Sequence, residues 1–102
     1  MKGTLDLLIL RTLALESRHG LAIAERIAQI TQGAFEVKAG SLFPALHRLE
    51  QDGFVVGSWG ESEGGHRVRT YRLTPEGRRQ LEREKQHWAR IVLAMGRVLA
   101  AE

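Results

Sequence analysis

Apolar residues recur at three- and four-residue intervals through the first half of this chain, alternate with polar ones after Gly53, and return to helical spacing after Thr74. Helices repeat every ~3.6 residues and strands every two, so this double switch of period fixes the order of elements more tightly than composition can. Leu5, Leu8, Ile9 and Leu13 form a first helical face, with Thr4 as its cap and an end near Ser17. Arg18-His19-Gly20 reads as a tight turn, followed by a second helix whose stripe is Leu21, Ala24, Ile27, Ala28 and Ile30. Thr31-Gln32-Gly33 breaks it, and Phe35 and Val37 alternate with polar neighbours in a short extended piece. Gly40-Ser41 then opens a third helix with Leu42, Ala45, Leu46 and Leu49 facing inward, stopped by Asp52-Gly53. Pro44 is tolerable if that helix starts near Ser41, because proline costs little in a first turn and ~3 kcal/mol in a helix interior.

Two strand-like runs follow, Phe54 to Trp59 and Arg67 to Leu73. The segment from Gly60 to His66 between them is polar and glycine-rich, as a mobile hairpin tip would be. Thr74-Pro75-Glu76 combines a capping hydroxyl, a proline suited to the first helical position and an acid favoured by the helix dipole. Leu81, Trp88, Ile91, Val92, Met95, Val98 and Leu99 keep an apolar seam along the helix this opens, with the spacing of a helix that packs on another helix. Three helices, a hairpin and a long helix predict an α+β, mainly α fold: a winged helix-turn-helix with a C-terminal dimerisation helix. The expected division is a winged-helix part over 1–74 and a dimerisation helix over 75–102, together one compact unit.

At 102 residues and 43% hydrophobic, the chain can build one modest core. It has no cysteine, which removes disulfides and thiolate-bound metal. No run approaches the ~20 apolar residues a bilayer needs, and Lys2 is followed by no small-residue cleavage pattern, so a cytoplasmic protein away from membranes is expected. His19, His47, His66 and His87 are scattered without metal-ligand spacing, and the expected cofactor set is empty. Ser17, Ser41, Ser58 and Ser62 lack a nucleophile-elbow context, and Gly60, Gly64 and Gly65 lack a strand-glycine-helix setting, so catalysis is not expected.

The net charge of +3 is modest, but its placement is not even. Arg67, Arg69, Arg72, Arg78 and Arg79 face a single acid, Glu76, between His66 and Arg79. In a winged helix the third helix enters the major groove and the hairpin follows the backbone. Packing Leu42, Ala45, Leu46 and Leu49 inward leaves Ser41, Phe43, Pro44, His47, Arg48 and Gln51 near the outward face. Ser41 and the amides at the helix start suit a phosphate, and His47 and Arg48 suit base edges or phosphates. Phe43 fits either a thymine methyl or the core. The candidate DNA-contacting set is therefore Lys38, Ser41, Phe43, Pro44, His47, Arg48, Arg67 and Arg69.

The run from Gly40 to Glu50, with Leu7 to Leu10 upstream, His19-Gly20 before the second helix and Tyr71-Arg72-Leu73-Thr74-Pro75-Glu76-Gly77 downstream, resembles the PadR family. The similarity spans nearly the whole chain and is closest to that family's shorter branch, with a single C-terminal helix. It implies a homodimeric transcription factor, usually a repressor, whose last helix supplies much of the dimer contact. The family commonly has tyrosine where this chain has Leu21 and Phe43, so a hydroxyl contact to DNA is not carried over to Phe43. The implied partners are a second copy of the chain and an inverted-repeat duplex. A small aromatic effector stacked near Trp88 is the sharper use of that residue, and packing of the dimer core the plainer one. A winged-helix module that binds another protein is the alternative function, against which the clustered hairpin arginines argue.

Overall fold

The computed structural model describes residues 2–102. Its elements are α1 (Lys2–Leu15), β1 (Arg18–His19), α2 (Gly20–Ile30), α3 (Ala39–Gln51), β2 (Val55–Glu61), β3 (Arg67–Leu73) and α4 (Pro75–Ala100). The expected order is found, with one addition. Arg18-His19 is a short strand rather than a turn, pairing antiparallel with Tyr71 and Thr70 and making a three-stranded sheet of order β1-β3-β2. Two residues carry no readable alternation, so a strand this short leaves no periodic signal.

The first helix begins before Thr4, which lies inside it instead of capping it, and ends at Leu15 instead of Ser17. The apolar residues of α1 extend over more than one side of the helix: Ile9, Leu10 and Leu13 are buried, Leu5, Leu7 and Leu8 pack at the margin of the core, and Arg11 and Leu15 are exposed. In α2 the inward residues are Ile23 and Ile27, whereas Leu21 and Ile30, expected in the stripe, are half exposed. The His19 ring caps this helix, its Nδ1 accepting from the Ala22 N–H at 3.3 Å. Phe35 and Val37 form no strand.

Leu42, Ala45, Leu46 and Leu49 turn inward from α3 as their spacing predicts. Each of these leucines, fully buried, contributes roughly 1.5–3 kcal/mol of transfer free energy. They meet α1, α2 and the base of the hairpin, where Val55 and Leu73 pair directly and Tyr71 closes the sheet side of the core. The hairpin runs in register to Glu61 opposite Arg67, so its tip is only residues 62–66, shorter than expected, with Gly65 at φ 77.

Thr74 behaves as the sequence requires: its hydroxyl accepts from the Gly77 N–H at 3.0 Å and donates to the Gly53 carbonyl at 2.6 Å. These two hydrogen bonds fix the start of α4 beside the turn that follows α3. Arg79 hydrogen-bonds Glu76 in the first turn and holds its carboxyl below the usual carboxylate range. The first half of α4 packs on α1 and buries Leu81, which belongs to its own chain's core instead of an intermolecular seam. Among the described residues no helix is long and apolar enough to cross a membrane.

Candidate nucleic-acid interface

Helix α3 starts at Ala39, two residues earlier than the sequence suggests. The amides of Ser41 and Leu42 are therefore spent on the Lys38 carbonyl, at 3.0 and 2.9 Å. No side chain caps this end, and Ala39 and Gly40, which supply the remaining first-turn amides, are both exposed. The Ser41 side chain stays exposed beside them, as does Lys38. Pro44 consequently lies in the second turn, where its ring nitrogen cannot donate to the Gly40 carbonyl. Gly40 is exposed, which leaves that carbonyl open to solvent and lowers the cost of the missing bond.

The outward face of α3 divides in two. Pro44 and His47 are exposed, and Phe43 is 42% exposed with one ring edge against the start of α2. A Cβ at Gly20 would come within 2.6 Å of that ring, so the glycine makes the contact feasible. Phe43 is thus half packed against α2 and half facing the cleft between α3 and the hairpin, and it is not part of the buried core. His47, Glu50, Gln51, Arg69 and Tyr71 line the same cleft, of about 550 Å³.

Arg48, expected to face outward, is turned toward α1, where its Nη2 lies 2.6 Å from the Asp6 carboxylate. Its position at the flank of the Leu42, Leu46 and Leu49 stripe lets a long side chain reach either way. The acidic partner on α1 decides the direction, and helical spacing alone does not reveal it.

On the hairpin, the face that buries Val55 and Leu73 continues outward through Gly57 and Tyr71, Trp59 and Arg69, then Glu61 and Arg67. Trp59 is exposed, and both arginines stack on it, Arg67 at 4.6 Å and Arg69 at 5.4 Å from the ring centre. Arg69 also forms an ion pair with Glu50 of α3. Trp59, Glu50 and Gly57 were not among the expected site residues, although period-two alternation puts residues 57, 59, 69 and 71 on one face once the register is known.

At the far end of the molecule Val92, Met95, Val98 and Leu99 are exposed, the last two to 74% and 82%. Leu93 is exposed as well, and lies off the face that the seam spacing defines. Trp88 and Ile91 are half buried. Trp88 stands between a cavity of about 370 Å³, reaching Leu5, Leu8, Phe35, Val37 and Ser41, and a smaller one reaching Leu7, His87 and Ile91. Among the described residues no cluster of three or more histidines and carboxylates is placed to hold a metal ion.

Three helices, a third helix with an open polar face and a hairpin beside it define a winged-helix regulator of transcription. The chain belongs to the transcriptional regulator PadR-like family, whose model matches residues 9–83. A PadR family transcription regulator from Clostridium difficile is similar in structure, with 32% identity and a TM-score of 0.81, over 94% of this chain and 98% of that one. A transcriptional regulator from Clostridium thermocellum superposes with a TM-score of 0.85 at 27% identity, over 93% of this chain and 92% of that one. Transcriptional regulator Rv3488 of Mycobacterium tuberculosis is 35% identical over 68 residues, which make 67% of this chain and 60% of that protein.

Proposed function

We propose that this protein is a homodimeric repressor that binds an inverted-repeat operator, with α3 in the major groove and the β2–β3 hairpin along the backbone. The observation that carries the reading is the open face of α3, with Lys38, Ser41, Pro44 and His47 exposed, flanked on the same side by a hairpin bearing Arg67. Free amides at the α3 start and an exposed arginine on the wing suit phosphates, and His47 suits a base edge. The bare apolar strip of Val92, Met95, Val98 and Leu99 supports pairing through α4, because a seam of that size seldom faces water. In this reading Trp88 and Ile91 pack at the seam's inner end.

Selection of bound fragments from random duplex DNA tests the proposal. Enrichment of a two-fold symmetric site is expected, and deletion of the gene should raise transcription from promoters carrying it. No enrichment would favour the protein-binding alternative, and an asymmetric site would remove the two-fold model. A flat aromatic effector in the cavity beside Trp88 is a second use of that space; titration of indole fluorescence with planar aromatics, read alongside operator release, checks it.

A further inference from the structure

The two hairpin arginines that look equivalent in sequence are held in different ways. Arg67 is exposed, lies on the outer side of Trp59, and has no paired carboxylate among the described residues. Arg69 runs the other way, back across the strand pair toward the body of the domain. Its Nε lies 2.5 Å from where a Cβ of Gly57 would be, so glycine on the neighbouring strand leaves this path open and any larger residue would make the arginine shift. Trp59 lies 5.4 Å away on one side and buried Tyr71 5.9 Å on another. The guanidinium ends on the Glu50 carboxylate of α3, with both side chains about 30% exposed or less.

A missing side chain, two aromatic faces and an acceptor on a different element converge on one group. A phosphate contact needs none of these, and a nearby carboxylate opposes it. A strut between two elements needs all of them, since a planar fork gains most where its position is already defined.

We propose that Arg69 is a positioning residue that locks the wing to α3 through Glu50, and that of these two arginines it is Arg67 that makes a phosphate contact. The inference rests on the DNA-binding reading above for its consequence and on the free protein for its geometry. With the strut in place, the angle between the third helix and the wing is set before DNA arrives, so less ordering is left to be done on binding.

The test uses the full chain and the variants Arg69→Gln, Arg69→Lys, Glu50→Gln and Arg67→Gln. Amide hydrogen exchange of the free protein over residues 55–61 and 67–73 reads the strut without DNA. Faster exchange is expected in both Arg69 variants and in Glu50→Gln, and wild-type exchange in Arg67→Gln. Lysine keeps the charge and folds readily but lacks the planar fork, so it should resemble glutamine here. Against the selected operator, Arg69→Gln should lose about ten-fold in affinity while the log–log salt slope stays at the wild-type value, because no phosphate contact is removed. Unchanged exchange in the Arg69 variants overturns the strut whatever the DNA result, and a slope reduced by about two per dimer overturns it as well. Should wild-type protein bind no duplex, the DNA reading fails by itself and the exchange data still decide the strut.

Discussion

Arg48 and Asp6 face each other across the α3–α1 boundary, the guanidinium Nη2 2.6 Å from the carboxylate. The pair is largely shielded, with side-chain exposures of 29% and 16%, so its two charges are only partly screened by water. Arg48→Ala should therefore destabilise the fold by about 1–2 kcal/mol, a value discounted from the fully buried case for the solvent that reaches the arginine. Base preferences in a binding-site selection should be retained. Denaturant unfolding checks the first statement; an altered base preference at unchanged stability would return Arg48 to the DNA-reading set.

Gly77 offers a sharper stability test. A Cβ there would lie 2.0 Å from the Phe54 carbonyl oxygen, a backbone atom that cannot swing aside. Gly77→Ala must push α4 away from the hairpin base, loosening the Thr74 bonds to Gly53 and Gly77. A loss of about 1–3 kcal/mol is expected, despite the better helix propensity of alanine. Thermal unfolding with a wild-type midpoint would show that the approach is looser than this.

The fold was legible where pattern and punctuation agreed. Leu42, Ala45, Leu46 and Leu49 share one helical face, Thr74-Pro75 starts a helix on local chemistry alone, and Tyr71-Arg72-Leu73 alternates buried, exposed, buried. It was illegible where neither signal exists. The two-residue β1 has no period, and the start of α3 shifts to Ala39 because Gly40-Ser41 resembles a stop-and-cap signal as closely as a first turn. At the site, exposure of Ser41, Pro44 and His47 follows from spacing, whereas the fates of Arg48 and Arg69 depend on Asp6 and Glu50, residues 42 and 19 positions away. Such long-range pairs decide where a long cationic side chain goes, and a single sequence does not encode them in any local pattern.

Arg67 stands on the exposed side of Trp59, so its truncation should act on the backbone term of binding. Arg67→Ala is expected to weaken selected and random duplexes alike and to lower the salt slope by about one unit per lost contact, or about two per dimer. Loss confined to the selected site, with the slope retained, would mean that the wing reads bases or groove shape.

Oligomeric state follows from the α4 strip. Met95 is 56% exposed and Ile91 half buried in the single chain, and both lie on the seam face. Ile91→Asp and Met95→Asp would bury unpaired charges if that face pairs with a second copy, so each should convert dimer to monomer in sedimentation at micromolar concentration. The winged-helix part should stay folded, because neither residue contributes to the core cluster. A monomeric wild type, or a dimer that tolerates both substitutions, would place the contact elsewhere.

His47 carries the most specific expectation. It is exposed on the middle of α3, past the Pro44 turn, and borders the cleft shared with Phe43 and Gln51. Its side chain is exposed on the outward face of α3, while the neighbouring Leu46 and Leu49 hold the helix to the core. Two copies of α3 related by a two-fold axis would read half-sites one or two helical turns apart, at about 34–36 Å per turn. His47→Ala should relax preference at one or two positions of each half-site, by about 1–3 kcal/mol, because a good base-edge contact is lost without disturbing the phosphate contacts around it. Dimerisation and unfolding should be unaffected, since the side chain is exposed and makes no core contact. The measurement is the same selection from random duplex run in parallel on wild type and variant. Relaxation confined to symmetric positions identifies His47 as a base reader and at the same time fixes the register of α3 on the operator; identical selected sequences would remove it from the specificity role and shift attention to Phe43 and Gln51 on the same cleft.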